Sequence, residues 1–237
     1  MESIVVTIYY ILFAFSFIYC MYFAITGLFG FKNYHKSMFG RHKAKYRFGI
    51  VIAGRNEEKV IGGLIKSLQK QHYPENLYEI FVVPNNCTDN TEGVAREAGA
   101  TIIHCDVPVK QKGDALEDTF KKLVKREDID AFVVFDADNL VHPDFLARMN
   151  DALCEGVEVA QCFRDAKNMG DNWLTGSYTL FYFIQNFFFN RARMNYSGSA
   201  AINGTGFMVR KSVLQKYGFK TRTITEDSEF TGQCALR

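Results

Sequence analysis

The first 31 residues form an apolar stretch, with no charged residue from Ser3 to Phe31. A helix rises about 1.5 Å per residue, so about 20 apolar residues are enough to cross the hydrocarbon core of a bilayer. The pattern therefore predicts one N-terminal transmembrane helix over residues 1–31. A signal peptide is the alternative, but the apolar run is too long for one and no basic region precedes it.

From residue 47 onward, short apolar runs alternate with segments in which apolar residues recur every three or four positions. The runs have the length of buried strands, and the recurrence is that of amphipathic helices. The predicted strands are at 47–53, 78–83, 101–104, 131–135 and 157–162. The predicted helices are at 58–71, 91–98, 114–125 and 143–153. This alternation predicts an α/β fold in which a mostly parallel sheet is covered by helices on both faces.

Residues 173–189 are unusually rich in phenylalanine and tyrosine, and Gln185 and Asn186 interrupt the apolar pattern. The stretch is short for a membrane span. We expect a helix that is either buried in the domain or lies at a membrane interface, with a second transmembrane helix as the alternative.

A basic segment separates the apolar stretch from the α/β pattern, and no acidic residue occurs in it before Glu57. Cations cluster on the cytoplasmic side of membrane helices and also attract anionic lipid head groups. We therefore predict a basic juxtamembrane linker over residues 32–46 and a cytoplasmic domain over residues 47–237. The cations of the segment and its border are Lys32, Lys36, Arg41, Lys43, Lys45 and Arg47.

The overall composition narrows the function classes. The chain has 237 residues, a net charge of +2 and six cysteines. So small a net charge gives no basis for nucleic-acid binding. No two cysteines are spaced as C-x-x-C, so neither a zinc site nor a redox motif is predicted, and free thiols in a reducing compartment fit the pattern.

Asp136, Ala137 and Asp138 directly follow the predicted strand 131–135 and carry the strongest chemical signal. Period-two geometry points the two carboxylates to the same side of the chain. Hard divalent cations take oxygen ligands and keep positions open for phosphate oxygens. The pattern predicts a Mg²⁺ or Mn²⁺ site that would neutralise a nucleotide diphosphate leaving group. A polar turn that closes the strand is the alternative.

Four further motifs stand at predicted strand ends and helix starts, and each also has a purely structural explanation. Asn-Glu-Glu at 56–58 could surround a nucleoside, or Asn56 could cap a helix. The polar turn at 84–91 could do the same or only cap the next helix. Lys112 beside a glycine at a helix N-terminus suits a phosphate. The glycines at 203–207 allow close backbone approach or form a tight turn.

Thr225, Glu226 and Asp227 form an acidic motif near the end of the sequence. One of the carboxylates could act as a general base that deprotonates an acceptor hydroxyl. The alternative is that Thr225 caps a helix whose dipole the two acids complement.

Taken in order, these motifs resemble those of glycosyltransferase family 2, the inverting GT-A enzymes that include cellulose, chitin, hyaluronan and poly-N-acetylglucosamine synthases. The resemblance covers residues 47–237 and rests on N-E-E, N-C-T-D-N-T, K-G-x-A-L, D-A-D, G-T-G-F and T-E-D. It implies a Rossmann-like GT-A domain that moves a hexosyl or N-acetylhexosaminyl group from a UDP-sugar to a glycan or lipid-linked acceptor. It also implies a membrane-associated enzyme of polysaccharide or glycan synthesis that contacts membrane lipid and uses Mg²⁺ or Mn²⁺.

The resemblance further implies a role for each residue of the motifs. On the donor side, Ala53, Glu57 and Asn85 would line the uridine pocket. Lys112 would approach the diphosphate. Asp136 would contact the nucleotide and share the metal with Asp138, the more direct ligand.

On the acceptor side, the resemblance implies that Asp227 is the catalytic base and that Glu226 supports it. The transfer would be a single displacement that inverts the anomeric carbon. The residues that would shape the acceptor side are Gly204, Thr205 and Gly206.

Two departures from the family pattern bear on function. Family members commonly carry Asp where Asn85 stands, and an amide keeps the shape but loses the charge and gains a donor. Processive relatives continue past the T-E-D motif with a Q-x-x-R-W element and further transmembrane helices, whereas this sequence ends at Arg237. We therefore expect weak or no polymer synthesis from these residues.

The sequence also bears on three other function classes. A catalytically impaired or regulatory membrane protein that keeps the GT-A fold is favoured by Asn85 and opposed by intact D-A-D and T-E-D motifs. A haloacid-dehalogenase-like phosphatase has its D-x-D on the first strand and its lysine later, whereas here Lys112 precedes Asp136. A Rossmann oxidoreductase requires G-x-G-x-x-G after a strand, and the first strand here lacks it.

Overall fold

The computed structural model describes residues 2–32 and 38–236, so Lys36 of the basic segment lies outside the described residues. The described chain falls into two compact units. One comprises residues 2–32 and 164–200, and the other comprises residues 38–163 and 201–236. In chain order the helices are α1 (Glu2–Leu28), α2 (Ile61–Leu68), α3 (Thr91–Glu97), α4 (Lys112–Leu123), α5 (Phe145–Cys154), α6 (Trp173–Ile184), α7 (Ala192–Asn195), α8 (Lys211–Tyr217) and α9 (Glu226–Ala235).

The second unit is built on a six-stranded sheet in the order β3-β2-β1-β4-β6-β5. The first four strands of that order run parallel, as predicted from the alternating pattern. The strands are β1 (Phe48–Gly54), β2 (Tyr78–Pro84), β3 (Thr101–Ile102), β4 (Ala131–Asp136), β5 (Val159–Gln161) and β6 (Phe207–Arg210).

The two strands beyond β4 depart from parallel order. β6 runs antiparallel to β4, with Phe207 opposite Val134, and β5 runs antiparallel to β6. As a result, the start of β6 lies beside the end of β4. The sequence pattern did not predict β6, and it predicted 157–162 as a longer strand than the one observed.

Helices cover both faces of the sheet and form a separate core on each. On β1, Ile50 and Ile52 belong to one apolar cluster, while Val51 and Ala53 belong to the other. This alternation follows from the period-two geometry of a strand. Burial on both faces also explains why β1 reads as a continuous apolar run, as central parallel strands do.

The described part of the basic segment is held against α5. The buried Asn150 accepts hydrogen bonds at Oδ1 from the backbone N–H groups of Lys45 (3.0 Å) and Tyr46 (3.3 Å). Its Nδ2 donates to the Lys43 carbonyl at 3.0 Å. Because a buried amide satisfies these backbone groups, residues 43–46 are an ordered part of this unit.

The first unit contains α1, α6 and α7. Among the described residues, Ser3–Phe31 is one stretch long and apolar enough to cross a membrane. Between α6 and α7 the helix continues with π-helical geometry over Gln185–Arg191. No residue of α6 is buried, so the expectation that this aromatic segment lies inside the domain is wrong for α6.

Candidate donor and acceptor site

A cavity of about 400 Å³ opens at the carboxyl ends of β1, β2 and β4. This is the edge where open α/β sheets bind ligands, because the loops after parallel strands converge there. The structure brings all the predicted donor-side and metal-ligating residues to this one cavity. Its lining consists of Ala53, Gly54, Arg55, Glu57, Asn85, Asn86, Lys110, Gln111, Lys112, Asp136, Ala137 and Asp138.

The D-A-D motif is held by the loop that precedes β6. Asp136 ends β4, and its backbone N–H donates to the Thr205 hydroxyl oxygen at 2.9 Å. That hydroxyl donates to Asn139 Oδ1 at 2.6 Å, and Asn139 Nδ2 donates to Asp138 Oδ1 at 2.8 Å. Thr205 is buried, whereas Asp138 is exposed. The chain of hydrogen bonds therefore fixes the D-A-D motif to the buried part of the loop that precedes β6.

Glu57 adds a third carboxylate to the cavity. Burial raises the pKa of its side chain, and the negative charges of Asp138, Asp136 and Asp89 raise the pKa further. Apart from burial, the neighbouring carboxylates thus disfavour the charged form of Glu57. Such repulsion is relieved when a cation binds among them.

No group of three or more His, Cys, Asp or Glu side chains in the described residues is arranged to hold a metal ion. Asp136 and Asp138 both line the cavity, so the candidate metal site has two protein carboxylates. Two carboxylates with open positions fit Mg²⁺, which is usually bound by one or two carboxylates together with substrate phosphates.

Lys112 is the first residue of α4, two residues before the predicted start of that helix. The helix begins early because Gln111 and Asp114 form a capping box, in which the Gln111 N–H donates to Asp114 Oδ2 at 3.1 Å. The Lys112 ammonium donates to Asp136 Oδ1 at 2.5 Å and to the Gly204 carbonyl at 2.7 Å. One cation thus connects the donor cavity to the glycine loop.

The loop Gly204–Gly206 requires glycine at both ends. Gly204 and Gly206 have φ values of +69° and +66°, in the left-handed region that favours glycine. A Cβ on Gly206 would collide with Cys162 Sγ. Gln161 holds the loop from β5, since its Nε2 donates to the Thr205 carbonyl at 2.9 Å.

The T-E-D motif lies beside this loop at the start of α9. A Cβ on Gly204 would lie 3.4 Å from Asp227 Oδ2, so the absent side chain leaves room for that carboxylate. Asp227 Oδ1 accepts the Ser228 N–H at 2.7 Å, which fixes the carboxyl group at the helix start. Thr225 is the N-cap residue and Glu226 and Asp227 lie in the first turn, as the structural alternative predicted, although the Thr225 side chain makes no cap hydrogen bond.

Asn56 does not cap a helix, because α2 begins only at Ile61. Its φ is +58°, and its Oδ1 accepts the Thr88 N–H at 2.8 Å. Asn56 therefore joins the turn after β1 to the turn after β2. The pairing connects two turns whose neighbouring residues Arg55 and Asn86 line the cavity.

Asn85 is held with a defined amide orientation. Its backbone N–H and its Nδ2 both donate to the Gly54 carbonyl, each at 3.1 Å. A carbonyl can only accept, so the nitrogen of the amide must face Gly54. The Oδ1 atom is then left as an acceptor at the cavity, the same capacity that a carboxylate would offer.

Sequence reasoning missed several residues that build the site. Arg55, Lys110 and Gln111 line the cavity, and Asn139 and Gln161 fix the loop that carries Thr205. Arg55 and Asn139 adjoin predicted motifs, which is a usable signal. Gln161 carries no such signal, because its role depends on the antiparallel pairing of β5 and β6, which the sequence pattern does not predict.

Comparison with known proteins agrees with this geometry. Residues 46–237 match the family model described as Glycosyltransferase like family 2. The chain is 27% identical over 187 residues to the beta-monoglucosyldiacylglycerol synthase of Nostoc sp., covering 77% of this chain and 40% of that protein. It is 27% identical over 223 residues to the probable glycosyltransferase YdaM of Bacillus subtilis, covering 85% of this chain and 51% of that protein. The chain thus spans about half the length of these relatives or less.

Two solved structures share the fold. The mannosyltransferase PcManGT of Pyrobaculum calidifontis, in complex with GDP-Man and Mn²⁺, superposes with a TM-score of 0.62 at 19% identity, over 88% of this chain and 57% of that one. S. aureus TarS 1-349 in complex with UDP-GlcNAc superposes with a TM-score of 0.56 at 17% identity, over 80% of this chain and 53% of that one. The predicted GT-A fold is confirmed.

Proposed function

Since the chain belongs to glycosyltransferase family 2, we propose that it moves a sugar from a UDP-sugar to an acceptor hydroxyl with inversion, in a reaction that requires Mg²⁺ or Mn²⁺. One observation carries the proposal. A single cation, Lys112, contacts Asp136 in the donor cavity and lies 3.5 Å from Glu226 of the T-E-D motif. This link between the two predicted motifs supports the proposal that they act together in one site.

The charges of the cavity suit a nucleotide diphosphate with its cation. Asp136 and Asp138 would hold the divalent ion, which neutralises charge on the departing diphosphate when it is bound. Lys112 would donate to phosphate oxygens in place of its present carboxylate partner. The basic lining residues are Arg55, Lys110 and Lys112, and the acidic ones are Glu57, Asp136 and Asp138.

Asn85 supports the assignment of a uracil base. Its Oδ1 can accept the imide N–H of uracil, because Nδ2 is committed to Gly54. The Asn85 amide therefore supplies the hydrogen-bond acceptor that an aspartate would supply at this position. This argues against the view that Asn85 marks a protein unable to bind its donor.

Asp227 would act as the general base. In the transfer, an acceptor oxygen forms a bond to the anomeric carbon as the bond from that carbon to the phosphate oxygen breaks. The electron pair leaves with UDP, and the acceptor proton passes to Asp227. Attack from the side opposite the leaving group inverts the anomeric carbon. Glu226 would position Lys112 and so connect the base to the donor.

The acceptor would be a glycan or lipid-linked hydroxyl at a cytoplasmic membrane surface. A relative named for the synthesis of a glucosyldiacylglycerol favours a lipid acceptor. The N-terminal stretch Ser3–Phe31 would anchor the enzyme in the membrane that holds such an acceptor.

The test is Mn²⁺-dependent UDP binding, followed by hydrolysis and transfer across a panel of UDP-sugars, using the full chain in detergent. We expect Asp138→Ala to lose donor binding. Asp106→Ala is the matched control, because Asp106 is 79% exposed and does not line the cavity. Equal UDP binding by wild type and Asp138→Ala would contradict the metal assignment, and binding without turnover by wild type would favour a non-catalytic protein.

A further inference from the structure

We propose that α6 binds the phospholipid bilayer as a second, interfacial membrane element beside the N-terminal span. Among the large apolar side chains of α6, most are more than 40% exposed, and Trp173 is 81% exposed. A helix of a soluble domain buries its apolar residues and exposes its polar ones. The exposed members are Trp173, Leu174, Tyr178, Leu180, Phe181, Phe183 and Ile184.

Two hydroxyl groups of α6 donate to carbonyls within the helix itself. No charged residue occurs from Trp173 to Asn190. The Ser177 hydroxyl donates to the Trp173 carbonyl at 2.9 Å, and the Thr179 hydroxyl donates to the Thr175 carbonyl at 3.2 Å. Lipid offers no hydrogen bonds, so a helix that enters it must satisfy such groups internally. Both hydroxyls meet that requirement, and the Tyr182 hydroxyl accepts an N–H from the Arg164 guanidinium at 3.3 Å.

Contacts with the end of α1 set the depth of this segment. The Phe23 and Phe189 rings stack with centroids 6.2 Å apart, and Asn195 Nδ2 donates to the carbonyls of Phe29 (2.9 Å) and Lys32 (3.0 Å). The 29-residue stretch Ser3–Phe31 is about 44 Å long at about 1.5 Å per residue, whereas a hydrocarbon core is about 30 Å thick. Placed symmetrically across that core, the stretch would extend about 7 Å beyond it at each end, which would put Phe29 at the level of the head groups.

Glycines in α1 and in the turn that follows it permit the close approach. A Cβ on Gly30 would lie 2.7 Å from the Phe187 carbonyl, and one on Gly27 would lie 3.6 Å from the Phe188 ring. Small residues at helix contacts are typical of packing within membranes. Residues 187–195, which follow α6, are thus packed against the N-terminal helix and its following turn in the manner of a membrane protein.

The residues at both ends of the segment suit the interface. Trp173 begins α6, and tryptophan and tyrosine are enriched at the boundary between lipid and water. Arg193 lies over the Phe189 ring at 4.9 Å, at the other end. A cation there can reach anionic head groups. We therefore assign a bilayer surface, in preference to a protein groove, as the partner of the exposed aromatic side chains.

The test uses the intrinsic fluorescence of Trp173, the one tryptophan in the chain. The full chain is reconstituted in phospholipid vesicles whose acyl chains carry bromine either near the head group or near the terminal methyl. We expect blue-shifted emission, poor quenching by iodide, and at least a halving of emission by the shallow bromines, with less quenching by the deep ones. Flotation with the vesicles reports the anchorage by α1 separately.

Each other outcome has a defined meaning. A chain that does not float with vesicles overturns the proposed anchorage and this inference with it. A floating chain whose Trp173 is quenched by iodide but not by bromolipid has a solvated α6, which overturns this inference alone. Blue-shifted emission without bromolipid quenching means that protein, from another copy or partner, covers α6, and this also overturns it.

A reporter in the other unit controls for non-specific quenching. In a Trp173→Phe background, Tyr78→Trp places the fluorophore at the start of β2, in a half-buried position of the sheet unit. We expect bromolipids to leave its emission unchanged. Equal quenching of both reporters would overturn the assignment.

Discussion

The Lys112 ammonium lies 3.5 Å from the Glu226 carboxylate while it donates to Asp136 Oδ1 at 2.5 Å. The side chain of Lys112 is 24% exposed and that of Glu226 is 12% exposed, so this pair is shielded from solvent. A diphosphate that recruits Lys112 would therefore change the surroundings of Glu226 as well. This relationship makes Lys112 the first residue to test.

We predict that Lys112→Met lowers UDP affinity by about tenfold or more. Hydrogen bonds to charged groups contribute about 1.5–3 kcal/mol, and about 1.4 kcal/mol corresponds to a factor of ten. Isothermal titration with UDP in Mn²⁺ measures the effect. Lys110→Met is the matched control, because Lys110 lines the same cavity but is exposed. If Lys110→Met lost as much UDP affinity as Lys112→Met, or more, only the overall positive charge of the cavity would matter.

Asp227→Asn should bind donor as wild type does and lose transfer by about 10²–10⁴, the range that general acid–base catalysis contributes. The amide keeps the acceptor oxygen that holds the Ser228 N–H but cannot take a proton from the acceptor. Single-turnover transfer from the UDP-sugar found in the donor screen measures the loss. Ser228→Ala, on the same helical turn, should retain activity, and an active Asp227→Asn enzyme would exclude Asp227 as the base.

Gly206→Ala should destabilise the sheet unit by about 1–3 kcal/mol from backbone strain alone, because φ is +66° there. The collision of a Cβ with Cys162 adds to that cost. Gly63→Ala offers the opposite case, since nothing lies within 4 Å of its Cβ position in α2. That change should stabilise the protein by about 0.5–1 kcal/mol. Thermal unfolding in detergent distinguishes the two, and unchanged melting of Gly206→Ala would contradict the loop geometry.

The stability of the metal-free protein should depend on Glu57. Burial, together with Asp138, Asp136 and Asp89, raises the pKa of Glu57 above its ordinary 4.5 in the folded state. The folded state then holds its proton more tightly than the unfolded state. Stability from this group is present below pH 4.5 and is lost as the pH rises through the folded pKa.

Glu57→Gln should remove this part of the pH dependence, because the amide does not titrate. In chelator, the melting temperature of wild type should drop relative to that of Glu57→Gln as the pH rises from below 4.5 to neutrality. Glu97→Gln serves as a control acid outside the cavity lining. Identical slopes for wild type and Glu57→Gln would show that the acids of the cavity do not repel Glu57.

The parallel half of the fold and its donor residues were predictable from the sequence, for a physical reason. Parallel strands buried on both faces are continuous apolar runs, and the polar residues that follow each run must meet at one edge. Asp136, Asn85 and Glu57 could therefore be placed together from sequence alone. Asp227 could be assigned to the site only through the family resemblance.

The antiparallel half was not predictable in the same way. β6 has four residues, and neither its length nor its composition indicates whether it runs parallel or antiparallel to β4. The role of Gln161 depends on that direction, so it was missed. For α6 the sequence left burial in the domain and a membrane interface open, because an aromatic helix has the same sequence pattern whether protein or lipid surrounds it.

The reversal of β6 has an evolutionary consequence. Because β6 runs against β4, the segment entering one strand and the segment leaving the other share an edge, with Phe207 opposite Val134. Under the proposed function, the residues that would bind the activated sugar are encoded upstream of residue 139, and those that would receive it are encoded downstream of residue 203. Substitutions in the downstream segment would then change the recipient of the sugar while the donor residues stay the same.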